Sequence, residues 1–321
     1  MITVAGVDIG SNTLRLLIAR VDQGERLVPL ESDRQMTRLG EGMGRASILR
    51  PSAIDRALEV LGGFRQKITR HRPDLVTVVA TSAVREADNR DEFLRRVKSE
   101  AGLAVDVLSG QEEARRTWLG AWWGLRHAGI DGSIPCLLLD IGGGSTEYVL
   151  GRDGAVDGWD STPLGVVRLT ERFLGHDPPS DGEIEQLRMH IAHELDGTAR
   201  RIGPLPPGCC VAGTAGTVTT LGALFKQLDR YDSSAVNGMR LPVEAVDDWV
   251  ARFVRLTAAQ RRELPLIEAG RADLIVAGGL VLQASLHRWR VNGLLVSDWG
   301  LKEGIILDAV RRRRGPESLR I

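Results

Sequence analysis

The sequence predicts an α/β protein of two domains, each a mixed sheet with helices, facing each other across a cleft. Three observations predict it. A chain of 321 residues is about two domains' worth at roughly 150 residues each. The element order β-β-β-α-β-α-β-α can be read twice along it, an internal repeat at domain scale. Two strand–turn–strand segments share one layout, VAGVDIGSNTLRLLIAR (4–20) and LLLDIGGGSTEYVLG (137–151), and place Asp8 and Asp140 132 positions apart (140 − 8).

The elements follow in order. Ile2–Ile9 and Leu14–Val21 read as strands joined by a hairpin turn, Gly10-Ser11-Asn12-Thr13, with a third strand within Leu27–Leu39. After the loop Gly40–Gly44, Pro51-Ser52 opens a helix with Ile54, Leu58, Leu61 and Ile68 near helical spacing. Then come a strand at Leu75–Ala80, a helix around Asp91–Ala101, a strand at Leu103–Leu108 and a helix opened by Ser109. The second half begins again with strands Leu137–Ile141, Thr146–Leu150 and Ala155–Ser161 and helices Val166–Phe173 and Asp181–Ile202. A strand at Cys209–Ala212, helices at Thr217–Leu228, Val243–Leu256 and Glu268–Arg290, a strand at Leu294–Val296 and a helix at Leu301–Arg313 complete it. The linker-like segment Gly129–Pro135 sets the expected domains at 1–128 and 129–321, with the last helix free to pack back on the first domain.

Composition narrows the chemistry. A formal net charge of zero argues against a broadly basic nucleic-acid or membrane-surface binder, so any anion site must be local. Lys67, Lys98, Lys226 and Lys302 are the only lysines, so nearly every cation is Arg, a planar bidentate phosphate binder. Cys136, Cys209 and Cys210 read as core strand residues; no CxxC occurs, which argues against a zinc site and a disulfide framework. No apolar run approaches the ~18 residues of a membrane span, and the N-terminus lacks a signal-peptide pattern, so a cytoplasmic location is expected by elimination.

The two turns carry the main functional signal. A glycine-rich turn at a strand end presents successive backbone N–H groups to one point, which suits an anionic oxygen. Gly10, Ser11 and Asn12 in the first turn and Gly142, Gly143, Gly144, Ser145 and Thr146 in the second would hold phosphate in this way. Asp8 and Asp140 at the strand ends can hold a cation or a water beside it. One such turn is as readily an ordinary hairpin; two in matching positions are harder to explain so. A third segment, VAGTAGTVTTLGAL (211–224), runs from a strand through Gly213, Thr214 and Gly216 into a helix N-terminus, a weaker anion signal. In LSGQEEARRTWLGAW (108–122), Ser109 and Glu112 form a capping box, whereas Glu113 is either a favourable first-turn acid or a general base for a water.

The doubled turn resembles the phosphate-1 and phosphate-2 loops of the actin/hexokinase/Hsp70 superfold, which is ribonuclease H-like. DIGSNTLRLLIA, TSAVREA, SGQEEAR, LLLDIGGGSTEYVLG, GTAGTVTTLGAL and SDWGLKEGIILD stand in the order seen in the Ppx/GppA phosphatases, exopolyphosphatases and guanosine pentaphosphate phosphohydrolases. The resemblance covers nearly the whole chain. It implies hydrolysis of a terminal phosphoryl group from inorganic polyphosphate or of the γ-phosphate of pppGpp, with Mg²⁺ or another divalent cation. It implies Glu113 as catalytic base, Asp140 and Glu147 at the metal and attacking water, Asp8 as the first-loop acid and Arg85 as a phosphate contact. Arg15 is read as a second phosphate or nucleotide contact, or else as a strand Arg at the cleft edge. Without the extra C-terminal domain of longer members, processive action on long chains is in doubt.

Other features compete. Arg311–Arg314 reads as a solvated helix C-terminus, and His190 and His193 as a surface helix face. Trp118 and Trp122 share a helix face, suited to core packing, to a homodimer contact or to base stacking. A kinase of the same superfold and a non-catalytic polyphosphate or alarmone sensor are the alternative functions. The first is distinguished by phosphorylation of an acceptor, the second by binding without phosphate release.

Overall fold

The computed structural model describes residues 1–44, 46–268 and 270–315. The chain forms two compact units, Met1–Gly120 with Gly300–Ile321, and Ala121–Trp299.

The first unit begins β1 (Ile2–Ile9), β2 (Thr13–Val21), β3 (Leu27–Met36), α1 (Pro51–His71), β4 (Leu75–Ala80), α2 (Ser82–Glu86) and α3 (Arg90–Arg96). A π turn at Val97–Ala101, the short β5 (Asp106–Val107) and α4 (Gly110–His127) follow. Its sheet has the order β3-β2-β1-β4-β5, with β1 antiparallel to β2 and parallel to β4. Alternation along β1 and β2 sends Val7, Ile9, Leu14, Leu16 and Ile18 to one face, where α1 buries Ile54, Leu61 and Phe64 against them. Burying a side chain the size of Phe64 contributes about 1.5–3 kcal/mol. Pro51 opens α1 as its sequence position suggested.

The second unit carries β6 (Cys136–Ile141), β7 (Thr146–Arg152), β8 (Ala155–Thr162), α5 (Val166–Phe173), α6 (Asp181–Ile202), β9 (Cys210–Thr214) and α7 (Ala215–Phe225). It continues with α8 (Ser233–Val236), β10 (Arg240–Pro242), α9 (Val243–Phe253), α10 (Ala258–Arg262), α11 (Ile275–Arg288) and β11 (Gly293–Val296). The sheet order is β10-β11-β9-β6-β7-β8. Without its extra edge strand β10, this is the order of the first sheet, with β6, β7, β8, β9 and β11 in the places of β1 to β5. The repeat extends to the register: Asp8 lies opposite Arg15 and Ile9 opposite Leu14, while Asp140 lies opposite Glu147 and Ile141 opposite Thr146.

The last helix, α12 (Leu301–Arg314), belongs to the first unit and packs on β1, where Ile305 and Ile306 approach Gly6. It also meets α4 at glycines: a Cβ on Gly304 would stand 1.8 Å from the Arg116 carbonyl oxygen, and one on Gly120 would stand 2.0 Å from that of Gly300. Beside this crossing the buried Asp308 accepts from Arg115 Nη2 (2.5 Å) and Arg116 Nε (3.0 Å). The crossing thus places the helix that bears Glu113.

Several expectations need correction. The helix expected over Glu268–Arg290 starts only at Ile275, after turns that include Gly270; Ala269 lies outside the described residues. The strand expected over Leu103–Leu108 pairs only at Asp106 and Val107, against Val79 and Ala80. β10 escaped notice because three residues carry no periodicity, and an edge strand tolerates Pro242. Arg311 is not solvated: it is buried and grips Glu25 bidentately, Nε to Oε1 at 2.7 Å and Nη2 to Oε2 at 2.6 Å. Trp118 and Trp122 need no correction: both are buried, in keeping with core packing. Among the described residues no helix is long and apolar enough to cross a membrane.

Candidate active site

In the first unit the β1–β2 hairpin is a two-residue turn, closed by the Gly10 N–H donating to the Thr13 carbonyl (3.2 Å). A Cβ on Gly10 would sit 2.9 Å from that same oxygen, so the turn requires glycine there. Behind the turn, the segment after β3 holds its carbonyls: Gly40 N–H donates to Ser11 O (2.8 Å), and Thr37 and Arg38 N–H to Asn12 O (3.1 and 3.0 Å). In a planar trans peptide the N–H opposes the C=O, so the amides of Asn12 and Thr13 face away from that segment. The hairpin therefore offers N–H groups on one side, as an anion nest requires.

Asp8 is buried at the mouth of this hairpin. Its Oδ2 accepts from Arg15 Nη1 at 3.3 Å across the strand pair, while Oδ1 has no hydrogen-bond partner. Burial pushes its carboxyl above the usual range, and the positive charges of Arg15 and Lys302 only partly offset this. Asn12 Oδ1 is a second buried acceptor without a partner. Such atoms are the ones a bound water or hydrated ligand completes. The Ser11 hydroxyl is 3.0 Å from that of Ser82 at the start of α2 and ties the turn to the helix behind it.

The helix α2 brings Arg85 to α4. Arg85 Nη1 donates to the Leu108 carbonyl (2.9 Å) and to Glu113 Oε2 (2.8 Å). The capping box at the start of α4 is present: Ser109 N–H donates to Glu112 Oε2 (3.0 Å) and Glu112 N–H to Ser109 Oγ (3.2 Å). That commits Glu112 to the cap. Glu113, one position on and turned about 100° around the helix, points its carboxylate inward instead, with its side chain 7% exposed. Two residues named from sequence thus form one charge-assisted pair.

In the second unit the β6–β7 hairpin closes in the same way, Gly142 N–H to Ser145 O at 3.0 Å. Here the N-terminus of α5 holds the carbonyls: Val166 N–H donates to Gly142 O (3.0 Å) and Val167 N–H to Gly143 O (2.9 Å). The amides of Gly143 and Gly144 consequently face the other way. This fit depends on Gly165, whose Cβ would lie 2.0 Å from the Gly144 carbonyl carbon. Sequence reasoning missed Gly165, since nothing local shows that it packs on a turn about twenty residues earlier.

The register sets Asp140 opposite Glu147, two acids where the first unit has the Asp8–Arg15 ion pair. Like charges directly opposite repel. Glu147, 1% exposed, accepts from Ser161 Oγ at 2.8 Å. Some of the expected phosphate donors are committed elsewhere. The Thr146 hydroxyl donates to the Leu164 carbonyl (2.8 Å) and that of Thr214 to the Trp299 carbonyl (2.9 Å). Gly213 lies within β9, where a Cβ would stand 2.7 Å from Leu294. Ala215 links β9 to α7 with a φ of 68°, in the left-handed region where a non-glycine residue is uncommon. A Cβ on Gly216 would lie 1.9 Å from Arg271 Nη1, so a guanidinium rests on the first turn of α7. Arg271 was also missed, because a turn residue 55 positions away carries no local signal.

Comparison with known proteins identifies the family. The model of the Ppx/GppA phosphatase family matches residues 17–313. A relative named exopolyphosphatase 2, from Mycobacterium tuberculosis, is 35% identical over 95% of this chain and 97% of its own. The crystal structure of the Aquifex aeolicus Ppx/GppA family member is 32% identical, covers 98% of this chain and 99% of its own, and superposes with a TM-score of 0.83. An exopolyphosphatase-like protein of known crystal structure is 34% identical at the same coverage, with a TM-score of 0.90. Each unit is an α/β domain built on a mixed sheet, as the repeated element order led us to expect.

Proposed function

The chain belongs to the Ppx/GppA phosphatase family, and from that premise we propose that it hydrolyses the terminal phosphoric anhydride bond of inorganic polyphosphate, with pppGpp as the second candidate substrate. The observation that carries the reading is the Arg85–Glu113 pair at 2.8 Å, at the start of a helix whose capping box leaves Glu113 without a capping duty. Glu113 accepts the proton as a water oxygen attacks the terminal phosphorus in line. The P–O bond to the bridging oxygen breaks, and the products are orthophosphate and a chain one unit shorter. Arg85 holds the base in place and lends positive charge to the phosphoryl oxygens. In the first unit the amides of Asn12 and Thr13, with Arg15, bind phosphate oxygens, and in the second the amides of Gly143 and Gly144 form an anion nest of their own. No covalent phosphoenzyme is needed.

The acid pair Asp140–Glu147 fits a hard divalent cation such as Mg²⁺, which binds through one or two carboxylates plus substrate phosphates and keeps waters. Among the described residues no group of three or more His, Cys, Asp or Glu side chains is gathered, so a zinc-type cage does not compete with it. Bound there, the cation would supply positive charge to phosphate oxygens.

The test is Mg²⁺-dependent phosphate release from short polyphosphate, long polyphosphate and pppGpp, with Glu113→Gln beside the parent protein. A loss of about 10²–10⁴-fold in kcat with unchanged thermal stability is expected. An unimpaired Glu113→Gln variant would remove the proposed base. No release from any of the three substrates would sink the hydrolase reading.

A further inference from the structure

The chain contains three cysteines, and all three meet at one place in the second unit. Cys136 opens β6 and Cys210 opens β9, and the two are direct partners in the parallel pairing of these strands. Partners in a parallel pair project to the same face of the sheet. Their strands run about 4.8 Å apart, inside the roughly 4.4–6.8 Å window of Cα separations that a disulfide spans. The thiols are in side-chain contact. Cys209 precedes the pair and turns its thiol to the Cys210 carbonyl at 3.3 Å. The proposed hydrolysis uses none of them.

We propose that Cys136 and Cys210 form a peroxide-reactive dithiol, a modification site in which Cys210 is the attacking thiol and Cys136 the resolving one. The two thiols are unequal. Cys136 is buried, whereas Cys210 is only partly covered and reachable by a small oxidant. The hydrogen bond from Cys136 draws the Cys210 thiol below its usual range, and the Arg240 charge adds to this against the effect of burial. The same contact and burial push Cys136 well up. In the first step the Cys210 thiolate attacks one peroxide oxygen; the O–O bond breaks, an S–O bond forms, and hydroxide leaves, giving Cys210 sulfenic acid. In the second, Cys136 sulfur attacks Cys210 sulfur, the S–O bond breaks, and water leaves with the Cys136 proton. The two thiols are oxidised by two electrons and the peroxide is reduced to water. The bond would tie β6 to β9 four residues before Asp140 and Thr214, which are paired in the same register.

The test uses the intact native protein, treated with hydrogen peroxide at increasing ratio, then alkylated and mapped by non-reducing peptide mass spectrometry. Expected is a linked peptide pair joining Cys136 to Cys210, formed at the same rate in Cys209→Ser. In Cys136→Ala no link forms, and a dimedone adduct of sulfenic acid collects at Cys210. Oxidation of Cys209 without a Cys136–Cys210 link, or only intermolecular links, would overturn the proposal. The link in the parent protein suffices by itself should a variant fold poorly. The readout is independent of catalysis, so it stands or falls apart from the hydrolase reading.

Discussion

Replacing Gly165 with alanine tests whether the second hairpin works through its backbone. Gly165 has φ −79°, a conformation any residue adopts, so the substitution strains nothing but space. The new Cβ would fall 2.0 Å from the Gly144 carbonyl carbon, where ordinary contact begins at 3.4 Å. Either the turn or the start of α5 must retreat by about 1.4 Å, the difference between these distances. That displacement breaks or stretches the hydrogen bonds from Val166 and Val167 to the Gly142 and Gly143 carbonyls. Two such bonds contribute about 1–3 kcal/mol together, a loss of roughly 2–12 °C in Tm for a unit of this size. A misplacement of about 1 Å in a binding group costs on the order of 10²-fold in rate. Gly165→Ala should therefore lower phosphate release about 100-fold and melt several degrees early. Gly182→Ala on α6, where a Cβ meets nothing within 4 Å, should do neither. Thermal melts and initial rates on both variants decide it. A Gly165→Ala protein with parental rate and Tm would refute the claim that the hairpin's amides are aimed by their fit against α5.

Further predictions follow from other contacts. Gly304→Ala places a Cβ 1.8 Å from the Arg116 carbonyl oxygen and should cost about 3 kcal/mol or more, while Gly63→Ala on α1, with open space around it, should stabilise by about 0.5–1 kcal/mol; denaturant titration compares them. Asp308→Asn leaves the buried Arg116 with only Glu112, at 3.9 Å, as counter-charge among the described residues and should cost about 3 kcal/mol at neutral pH. Burial pushes Asp308 up, but Arg115 and Arg116 pull it further down, so its folded pKa is depressed. Its contribution is complete above the ordinary value of 3.8 and fades as pH falls through the lowered folded value. The gap between variant and parent should accordingly be constant near neutrality and close in acid. Glu147→Gln relieves the repulsion with Asp140. It should melt no earlier than the parent in EDTA yet gain less Tm from added Mg²⁺, because linkage rewards only the form that binds; an undiminished Mg²⁺ gain would remove Glu147 from the metal site.

Sequence alone determined what depends on neighbours along the chain. The two hairpins were legible because turn residues, Gly10-Ser11-Asn12 and Gly142-Gly143-Gly144-Ser145, stand between apolar runs. Their strands were legible because apolar runs ended at those turns. The capping box at Ser109 is a four-residue pattern, and it freed Glu113 for another role before any coordinates. Asp8 and Asp140 were found by their place at strand ends, and Glu147 by the family resemblance. Tertiary structure alone decided what depends on residues far apart in sequence. It joined Arg85 to Glu113, committed the Thr146 and Thr214 hydroxyls to backbone carbonyls, set Gly165 against Gly144 and laid Arg271 on Gly216. It turned Arg311, the first of an arginine run read as solvated, into a clamp on Glu25. It also made a pair of Cys136 and Cys210, 74 positions apart (210 − 136). The physical reason is the same throughout: turns, caps and periodic faces are set by a few consecutive residues, whereas a hydrogen-bond partner or a close packing contact is chosen only once the sheets have formed.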